Sequence, residues 1–354
     1  MKLALLGPGA FGRFILEALA PMPEVELAAV VARTEVSRRR ALSLWHEVRE
    51  SRGLPPGSPR LLGRGEDLLG LKELEGVIIA LPPHLQAAWA RAFLAQGVPV
   101  FLEKPGALEA DDLFRLQELA EAQAVPAALD LVMRATRLLR VVRSWMEKDL
   151  LGKLQRYHLE NWASRLPEDH WFWDESRSGG LLKEHGVHFV DEVLYLTGGA
   201  YTEGEAFSWP HPSLPTYDRA LLRLDLLQKG GEPCPCTFFH SFTRPPGDEM
   251  QVRLLAFSKG WLRIEGWIPS RLEGEVAAEG EDLLKPLRES SLSWEAEPSD
   301  RGRWRLKVTV PDPQEEYRWA IALGVKAWMA GKPLATLADG GRALAWALGK
   351  GRGS

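Results

Sequence analysis

The chain has 354 residues, a formal net charge of −4 and an isoelectric point near 6.1. This length is too great for one ordinary hydrophobic core and predicts two domains. Acidic and basic residues are interspersed and no apolar stretch reaches the length of a membrane span, so we expect neither nucleic acid nor membrane among the partners.

The two cysteines, Cys234 and Cys236, flank a single proline, a spacing unsuited to a mutual disulfide. Two cysteines without a disulfide pattern are typical of a reducing compartment. We therefore expect a soluble, cytoplasmic protein.

The chain opens with a pattern of strand, glycine turn and helix. The apolar run 2–6 has the length of a buried strand, and apolar residues recur at helical spacing after Gly12. Gly7 suits the tight turn, Gly9 allows the backbone to approach a pyrophosphate, and Gly12 allows the helix to pack closely on the strand. A second apolar run, 25–32, completes a β-α-β unit, which favours dinucleotide binding over a glycine turn kept only for packing.

The residues after this second strand bear on the choice of cofactor. Arg33 stands where an acidic residue would hydrogen-bond the ribose hydroxyls of NAD, and an arginine there accommodates the 2′-phosphate of NADP. Thr34 and Arg38 lie within reach of the same group. We predict NADP(H), with NAD(H) as the alternative; a solvated charged turn is the structural alternative for these residues.

Three further apolar strands are predicted in the first domain, at 76–81, 97–102 and 124–130. The second of them leads directly to Lys104, and the third ends at Asp130. In a doubly wound sheet the carboxyl ends of the strands face the ligand. Both side chains are therefore expected at the ligand-binding edge.

After residue 130 the pattern changes from alternating helix and strand to successive short strands. A long helix is predicted from Ser178 to Leu196, preceded by an aromatic loop. The predicted strands beyond it are 203–208, 218–228, 236–243, 249–257 and 261–267, which indicates a largely antiparallel sheet.

The segment 271–312 is predicted to be irregular and charged, with one strand at 304–310, and two helices at 314–329 and 339–348 close the chain. The prediction is thus an α/β fold with an N-terminal Rossmann domain and a C-terminal α+β domain that has an open, largely antiparallel sheet. The predicted domains are 1–129 for dinucleotide binding, 130–335 for substrate binding and oligomerisation, and a C-terminal helix at 336–354.

Three motifs in order resemble one family. They are the fingerprint from Gly7 to Gly12, the sequence Glu103-Lys104-Pro105, and Gly179-Gly180 followed by Glu184-x-Gly186-x-His188-x-x-Asp191. Together they resemble the Gfo/Idh/MocA oxidoreductases over essentially the whole chain. The resemblance implies nicotinamide-dependent hydride transfer at a carbinol of a small substrate, commonly a sugar or cyclitol. It also implies a homo-oligomer, a dimer or tetramer, formed through the C-terminal sheet.

The resemblance assigns the proton chemistry to Lys104, beside the nicotinamide, and to His188 and Glu184, a glutamate where aspartate is usual. A histidine or lysine can take up a hydroxyl proton near neutrality as the hydride leaves. On a regular α-helix, positions 184, 188 and 191 lie within roughly 40° of one another, so Glu184, His188 and Asp191 are predicted to share a face. A surface lysine and a core histidine are the structural alternatives. We predict no metal, because His185 and His188 lack a distant third ligand.

The remaining predicted site residues fall into two sets. The cofactor-binding set is Gly7, Gly9, Ala10, Phe11, Gly12, Arg33, Thr34, Arg38, Leu81, Pro82, His84, Glu103 and Lys104. The substrate-binding set is Asp130, Arg134, Trp171 and Asp191.

Two rival functions stay open at this point. One is a non-catalytic NADP(H)-binding regulatory protein, since a fold does not establish turnover. The other is a reductase of a non-sugar substrate, such as a tetrapyrrole or an imine. Two departures from the family leave the substrate undecided: Glu184 replaces the usual aspartate, and Gln86 replaces a frequent histidine. The aromatic cluster around Trp171 favours a core or lid over a sugar-stacking platform.

Overall fold

The computed structural model describes residues 1–299 and 302–349. These residues form two compact units: 1–132 with 318–341, and 133–317 with the segment that begins at Arg342. The first unit contains a six-stranded parallel sheet, and the second contains a nine-stranded sheet. The predicted α/β class, with a Rossmann unit and an open, largely antiparallel sheet, is confirmed.

The strands of the first unit are β1 (Lys2–Leu6), β2 (Glu26–Val31), β3 (Arg60–Leu62), β4 (Gly76–Ile79), β5 (Val100–Leu102) and β6 (Ala127–Leu129). Their order in space is β3-β2-β1-β4-β5-β6, and every neighbouring pair is parallel. The order reverses between β1 and β4, which is where open α/β sheets bind ligands beyond the carboxyl ends of their strands. Strands β4, β5 and β6 are buried on both faces throughout, and β1 is buried after its first residue, as their continuous apolar sequences predict.

The α-helices of the described residues are α1 (Ala10–Leu19), α2 (Glu35–Ser51), α3 (Pro83–Leu94), α4 (Ala110–Ala122), α5 (Arg137–Glu147), α6 (Glu175–Ser178), α7 (Val187–Thr197), α8 (Gly280–Glu289), α9 (Pro313–Met329) and α10 (Leu337–Trp346). None of them is both long enough and apolar enough to cross a membrane.

Residues 318–341 pack in the first unit, whereas the predicted domain ranges place 318–335 with the second. The reason is a buried contact between this C-terminal segment and β5. Trp328 is fully buried, lies 5.7 Å from the ring of Phe101, and donates a hydrogen bond from its indole nitrogen to Pro126 O at 3.0 Å. Leu129 N also donates to Ala335 O at 3.1 Å, so this C-terminal segment completes the core of the parallel sheet.

The strands of the second unit are β7 (Leu154–Ser164), β8 (Ala200–Pro210), β9 (Tyr217–Leu227), β10 (Pro233–Arg244), β11 (Met250–Phe257), β12 (Gly260–Glu265), β13 (Arg271–Val276), β14 (Ser293–Pro298) and β15 (Trp304–Thr309). Their order is β14-β15-β13-β12-β11-β7-β10-β9-β8. The described neighbours are antiparallel except β7 and β10, which are parallel.

The prediction of an irregular segment over 271–312 is wrong, except for the strand predicted at 304–310, which is present as β15. This segment forms β13, α8, β14 and β15. Its charged residues face one another across the strands: Glu295 lies opposite Lys307, and Glu297 lies opposite Arg305. Cross-strand pairs of opposite charge stabilise the solvent-exposed face of a sheet, so a charged sequence here is compatible with strands.

Candidate functional site

The glycine turn after β1 is shaped by contacts that exclude side chains. Gly7 has a φ of +100°, and a Cβ there would lie 2.4 Å from Ala80 O. A Cβ on Gly12 would lie 2.1 Å from Gly7 O, so α1 can pack on this turn only with glycine at that position. A Cβ on Gly9 would meet no heavy atom of the described residues within 4 Å, which leaves this part of the turn open to a ligand.

The N-terminus of α1 fits a phosphate group. The helix begins at Ala10 after Gly9, and no side chain in the described part of the chain caps it. The first N–H groups of a helix lack intrahelical acceptors and favour negative charge. A pyrophosphate is therefore a suitable partner for this open turn.

Three residues predicted to recognise the cofactor lie at the turn between β2 and α2, and two of them hold the turn together. Thr34 is the N-cap of α2 and accepts a hydrogen bond from Ser37 N at 3.3 Å. Arg38 donates from one guanidinium nitrogen to Ala32 O at 2.5 Å and to Arg33 O at 3.4 Å. Arg33 is exposed at the tip of the same turn, so its guanidinium is directed to solvent.

Gln86 ties together the ends of β4 and β5. Its side-chain nitrogen donates to Leu81 O at 2.9 Å and to Lys104 O at 3.2 Å, and its side-chain oxygen accepts from Gly106 N at 2.8 Å. Gln86 is buried, and Lys104 and the following proline are joined by a cis peptide bond. The amide thus fixes the turn that carries Lys104, a role that the sequence pattern did not suggest for it.

Asp130 lies beside this turn. Its backbone N–H donates to Leu102 O at 2.8 Å, which sets it next to the end of β5. The residue is only 4% exposed, and its Oδ2 has no hydrogen-bond partner among residues 1–299 and 302–349. Burial raises the pKa of the Asp130 carboxyl to about 7, and the positive charge of Lys104 opposes that rise.

The predicted helix from Ser178 to Leu196 is interrupted in the structure. Gly179 and Gly180 follow α6 with φ values of +81° and +85°, and residues Leu182–Gly186 then form a π-helical turn before α7. The prediction that Glu184, His188 and Asp191 share a face rested on 3.6 residues per turn. That spacing does not hold through a π-turn, a feature often found at functional sites.

Two residues predicted to bind substrate are paired with each other. Arg134 donates from Nε to Asp191 Oδ2 at 2.9 Å and from a terminal nitrogen to Asp191 Oδ1 at 2.6 Å. Both side chains are nearly fully buried. This two-pronged ion pair is the strongest geometry open to an arginine and a carboxylate.

Trp267 brings the two histidines of this segment into one cluster. Its ring stacks on His185 at a centroid distance of 4.8 Å and an angle of 23°, and it meets His188 edge-on at 4.8 Å. The loop that carries Trp267 is held by Arg253, which donates to Gly266 O and Trp267 O. Sequence reasoning missed Trp267, because a single tryptophan after a strand gives no signal of this contact.

The aromatic loop before α6 contains both buried and half-buried residues. Phe172 and Trp173 are buried, and Phe172 lies 4.7 Å from the ring of Phe242. Trp171 is half-buried beside His170, whose Nδ1 accepts from Phe172 N at 3.2 Å.

Glu184 acts electrostatically on this loop. Burial lowers the pKa of His170, and the negative charge of Glu184 opposes that effect. The loop histidine therefore lies in the field of the carboxylate that the family resemblance predicts to be catalytic. The pairing of Glu184 with His188 stays a prediction.

Within the described ranges, no group of three or more His, Cys, Asp or Glu side chains is arranged to hold a metal ion.

The remaining predicted cofactor residues are at the ends of β4 and β5. Leu81 and Pro82 are half-buried after β4, His84 is exposed in α3, and Glu103 accepts a hydrogen bond from Lys104 N.

Two family models match the chain. Residues 1–130 match the model of the GFO/IDH/MocA oxidoreductase family with an NAD-binding Rossmann fold, and residues 139–253 match the model of the GFO/IDH/MocA C-terminal domain. Together the two models cover most of the chain.

The curated relatives are distant. The rhizopine catabolism protein MocA of Rhizobium meliloti is 26% identical over 56% of this chain and 57% of its own length. The D-xylose 1-dehydrogenase (NADP(+)) 2 of Haloferax volcanii is 26% identical over 56% of this chain and 58% of its own. The chain thus matches about half the length of these two relatives.

A solved structure supports the fold over the whole length. The WlbA dehydrogenase of Bordetella pertussis, in complex with NADH and UDP-GlcNAcA, superposes with a TM-score of 0.77 at 17% identity. The match covers 98% of this chain and 94% of that one. At this identity the likeness shows the shared fold.

Proposed function

The chain belongs to the Gfo/Idh/MocA oxidoreductase family, and on that premise we propose that it transfers a hydride between a nicotinamide cofactor and the carbinol or carbonyl of a small sugar- or cyclitol-like substrate. The observation that carries the proposal is the carboxyl edge of the parallel sheet. There the open glycine turn, the fixed turn of Lys104 and the buried Asp130 follow β1, β5 and β6. A dinucleotide bound across this edge is the arrangement typical of such sheets.

In this proposal a bound nicotinamide supplies or accepts the hydride, and side chains of the protein handle the proton. The ammonium of Lys104 polarises the substrate oxygen and gives it a proton during reduction, and the neutral amine of Lys104 receives that proton during oxidation. Glu184 and His188 share this acid–base work in the second unit. Because the charge on the oxygen develops in the transition state, loss of Lys104 is expected to lower turnover more than binding.

NADP(H) is the preferred cofactor in this proposal. Arg33 supports it, because its guanidinium is exposed at the turn after β2, whereas Thr34 and Arg38 are occupied in holding that turn. An arginine at this turn accommodates a 2′-phosphate. The relative from Haloferax volcanii carries NADP(+) in its name, and NAD(H) remains the alternative cofactor.

We further propose that the chain forms a homo-oligomer through the sheet of the second unit. The sheet face opposite α7 carries large apolar side chains that are 41–50% exposed. They are Phe207, Trp209, Met250, Leu254 and Trp261. Exposed apolar side chains on one sheet face are typical of an interaction site, and light scattering of the purified protein measures the oligomeric state.

The test of the enzymatic proposal is a screen of sugars, cyclitols and aldehydes, with nicotinamide absorbance followed for both cofactors. On a substrate so found, Lys104→Ala is expected to lower kcat by about 10²-fold or more and to leave the Kd for NADPH nearly unchanged. Lys72→Ala, at an exposed lysine of the same unit, is the matched control. A regulatory protein would bind NADPH without turnover, and wild-type kcat in Lys104→Ala would refute the role of Lys104.

Imines and tetrapyrroles in the same screen test the second candidate function. Turnover restricted to these compounds would retain the hydride chemistry and replace the sugar-like substrate.

A further inference from the structure

Trp267 lies in a tight turn that joins β12 to β13. The turn requires glycine at its first position, because Gly266 has a φ of +96° and a Cβ there would lie 2.7 Å from Ile268 O. Ser270 N closes the turn by donating to Glu265 O at 2.9 Å. The backbone that carries the indole is therefore closely constrained.

Arg253 connects this turn to α7. Its Nε donates to both carboxylate oxygens of Glu192, at 2.8 and 3.1 Å. Its two terminal nitrogens donate to Gly266 O at 2.6 Å and to Trp267 O at 3.2 Å. The side chains of Arg253 and Glu192 are fully buried, and a guanidinium holds its acceptors in a fixed planar arrangement. A single side chain thus sets the position of the turn against the helix.

The same helix carries His188, one turn before Glu192. The indole of Trp267 meets the imidazole of His188 edge-on, with ring centroids 4.8 Å apart and planes at 88°. The contacts therefore form a closed ring. The helix joins His188 to Glu192, Arg253 joins Glu192 to the turn, and the indole returns to His188.

Two further rings fix the plane of the indole. His185 lies nearly parallel to it, at 4.8 Å and 23°, and Phe189 meets it edge-on at 5.6 Å and 73°. Stacked and edge-on contacts are the favoured arrangements of aromatic pairs. Because the indole touches three rings of the segment 185–189, its own rotation would disturb all three contacts.

We propose that Trp267 is a positioning residue, whose indole holds the imidazole of His188 in the orientation that proton transfer requires. The inference rests on the proposed function, since it requires His188 to share the acid–base work. A misoriented acid or base lowers the rate of the chemical step, because proton transfer depends on hydrogen-bond geometry. An effect that acts through His188 should therefore lower kcat, whereas the loss of a substrate contact would raise KM.

The direct test needs no substrate. In NMR spectra of protein labelled with ¹³C-histidine, the ring current of the indole is expected to displace the ring-proton signals of His188, which are assigned by their loss in His188→Gln. Trp267→Leu should remove this displacement. Trp294→Leu, at a half-buried tryptophan of the edge strand β14, is the matched control and should leave the signals in place. Signals of His188 that do not respond to Trp267→Leu would overturn the proposal.

The kinetic test uses the substrate found in the screen. Trp267→Leu is expected to lower kcat by about 10-fold and to leave KM within about twofold of the wild-type value. Trp267→Phe retains an aromatic ring and should restore much of the lost kcat. In the His188→Ala background, Trp267→Leu should cause no further loss. A raised KM with unchanged kcat, or a further loss in that background, would show that Trp267 does not act through His188.

The two proposals fail in distinguishable ways. If the His188 signals respond to Trp267→Leu but no compound is turned over, the enzymatic proposal fails while the contact between indole and imidazole stands. If turnover depends on His188 but not on Trp267, the enzymatic proposal stands and the inference fails. The unfolding temperature of each variant shows whether the fold is retained. If Trp267→Leu does not fold, Trp267→Phe serves both tests, with smaller expected changes of the same sign.

Discussion

The buried charges of the two units differ in how completely they are satisfied. In the second unit, α7 carries the consecutive acids Asp191 and Glu192, and each is paired with its own buried arginine, Arg134 and Arg253. In the first unit, the carboxyl of Asp130 is buried, and its Oδ2 has no hydrogen-bond partner among the described residues. Burial raises the pKa of this carboxyl, and the positive charge of Lys104 opposes the rise. Fully satisfied pairs are typical of structure, whereas a strained titratable group points to function.

The difference follows from the side chains. A guanidinium presents a planar set of donors that can bond both oxygens of a carboxylate, as Arg134 does with Asp191. Glu192 is bonded by Arg253 Nε at 2.8 and 3.1 Å and also accepts from the hydroxyl of Tyr157 at 3.0 Å. A lysine ammonium is a point charge on a flexible chain and imposes no such geometry, so it remains able to serve a reaction.

Arg253→Met is expected to have the largest effect on stability. It leaves Glu192 buried without its partner and releases the carbonyls of Gly266 and Trp267, so the free energy of unfolding should fall by about 3–5 kcal/mol. Urea denaturation followed by circular dichroism measures this loss. Arg223→Met, which breaks exposed pairs with Glu205 and Asp225, is the control and should cost less than about 1 kcal/mol. Equal losses in the two variants would remove the contrast between buried and exposed pairs.

Asp130→Asn is expected to act in the opposite direction at high pH. Because the folded pKa of about 7 lies above the unfolded value of 3.8, the folded chain keeps a proton that the unfolded chain releases, and stability falls as pH rises from about 4 to 7. The full shift, from 3.8 to about 7, corresponds to about 4 kcal/mol. Asp130→Asn should remove this fall and be more stable than wild type at pH 8.

Urea denaturation at pH 5 and pH 8 measures this effect, and Asp111→Asn, at an exposed aspartate of α4, is the control. A wild-type stability that does not decline over this range would show that Asp130 is as well satisfied as the acids of α7.

These pairings also show what the sequence could not predict. The fingerprint from Gly7 to Gly12 is local, and its turn, helix and β-α-β context were all recognisable from spacing. The partners of Arg134 and Arg253 are 57 and 61 residues away, so their pairing depends on the fold. Asp130 and Lys104 were both placed at the ligand edge, but burial and the resulting pKa arise only in the folded core.

The prediction of a continuous helix from Ser178 to Leu196 failed for a different reason. Periodicity analysis assumes one helical geometry, and the π-turn over Leu182–Gly186 breaks that assumption without any unusual composition. The paired glycines before it, Gly179 and Gly180, can be read from the sequence, but their positive φ angles could not be predicted from it. The relation of Glu184 to its neighbours therefore needs an experiment.

Glu184 has two candidate histidine partners, and mutant cycles distinguish them. If it works with His188, then Glu184→Gln, His188→Ala and the double variant should each lose about 10²-fold in kcat/KM, because residues that act as a unit are not additive. If it works with His170, in whose field it lies, the same non-additivity should appear in the cycle with His170→Ala. Steady-state kinetics of the five variants measures both couplings. Additive losses in both cycles would show that Glu184 acts alone.

The smallest expected effect concerns the choice of cofactor at the turn after β2. Arg33 and Arg38 differ in a similar way. Arg38 is hydrogen-bonded to backbone carbonyls of the turn, whereas Arg33 is exposed. A guanidinium bonded to a phosphate contributes about 1.5–3 kcal/mol per charged hydrogen bond, so Arg33→Asp should weaken NADPH binding by roughly 10- to 100-fold.

The new carboxylate of Arg33→Asp can accept the ribose hydroxyls of NADH, so the preference should reverse rather than merely disappear. Arg38→Ala, the control, should lower stability through the loss of the turn and weaken both cofactors in similar proportion. Fluorescence titration with NADH and NADPH measures the ratio of the two Kd values. A wild-type ratio near one, or a ratio that responds more to Arg38→Ala than to Arg33→Asp, would mean that the exposed arginine has no part in recognising the phosphate.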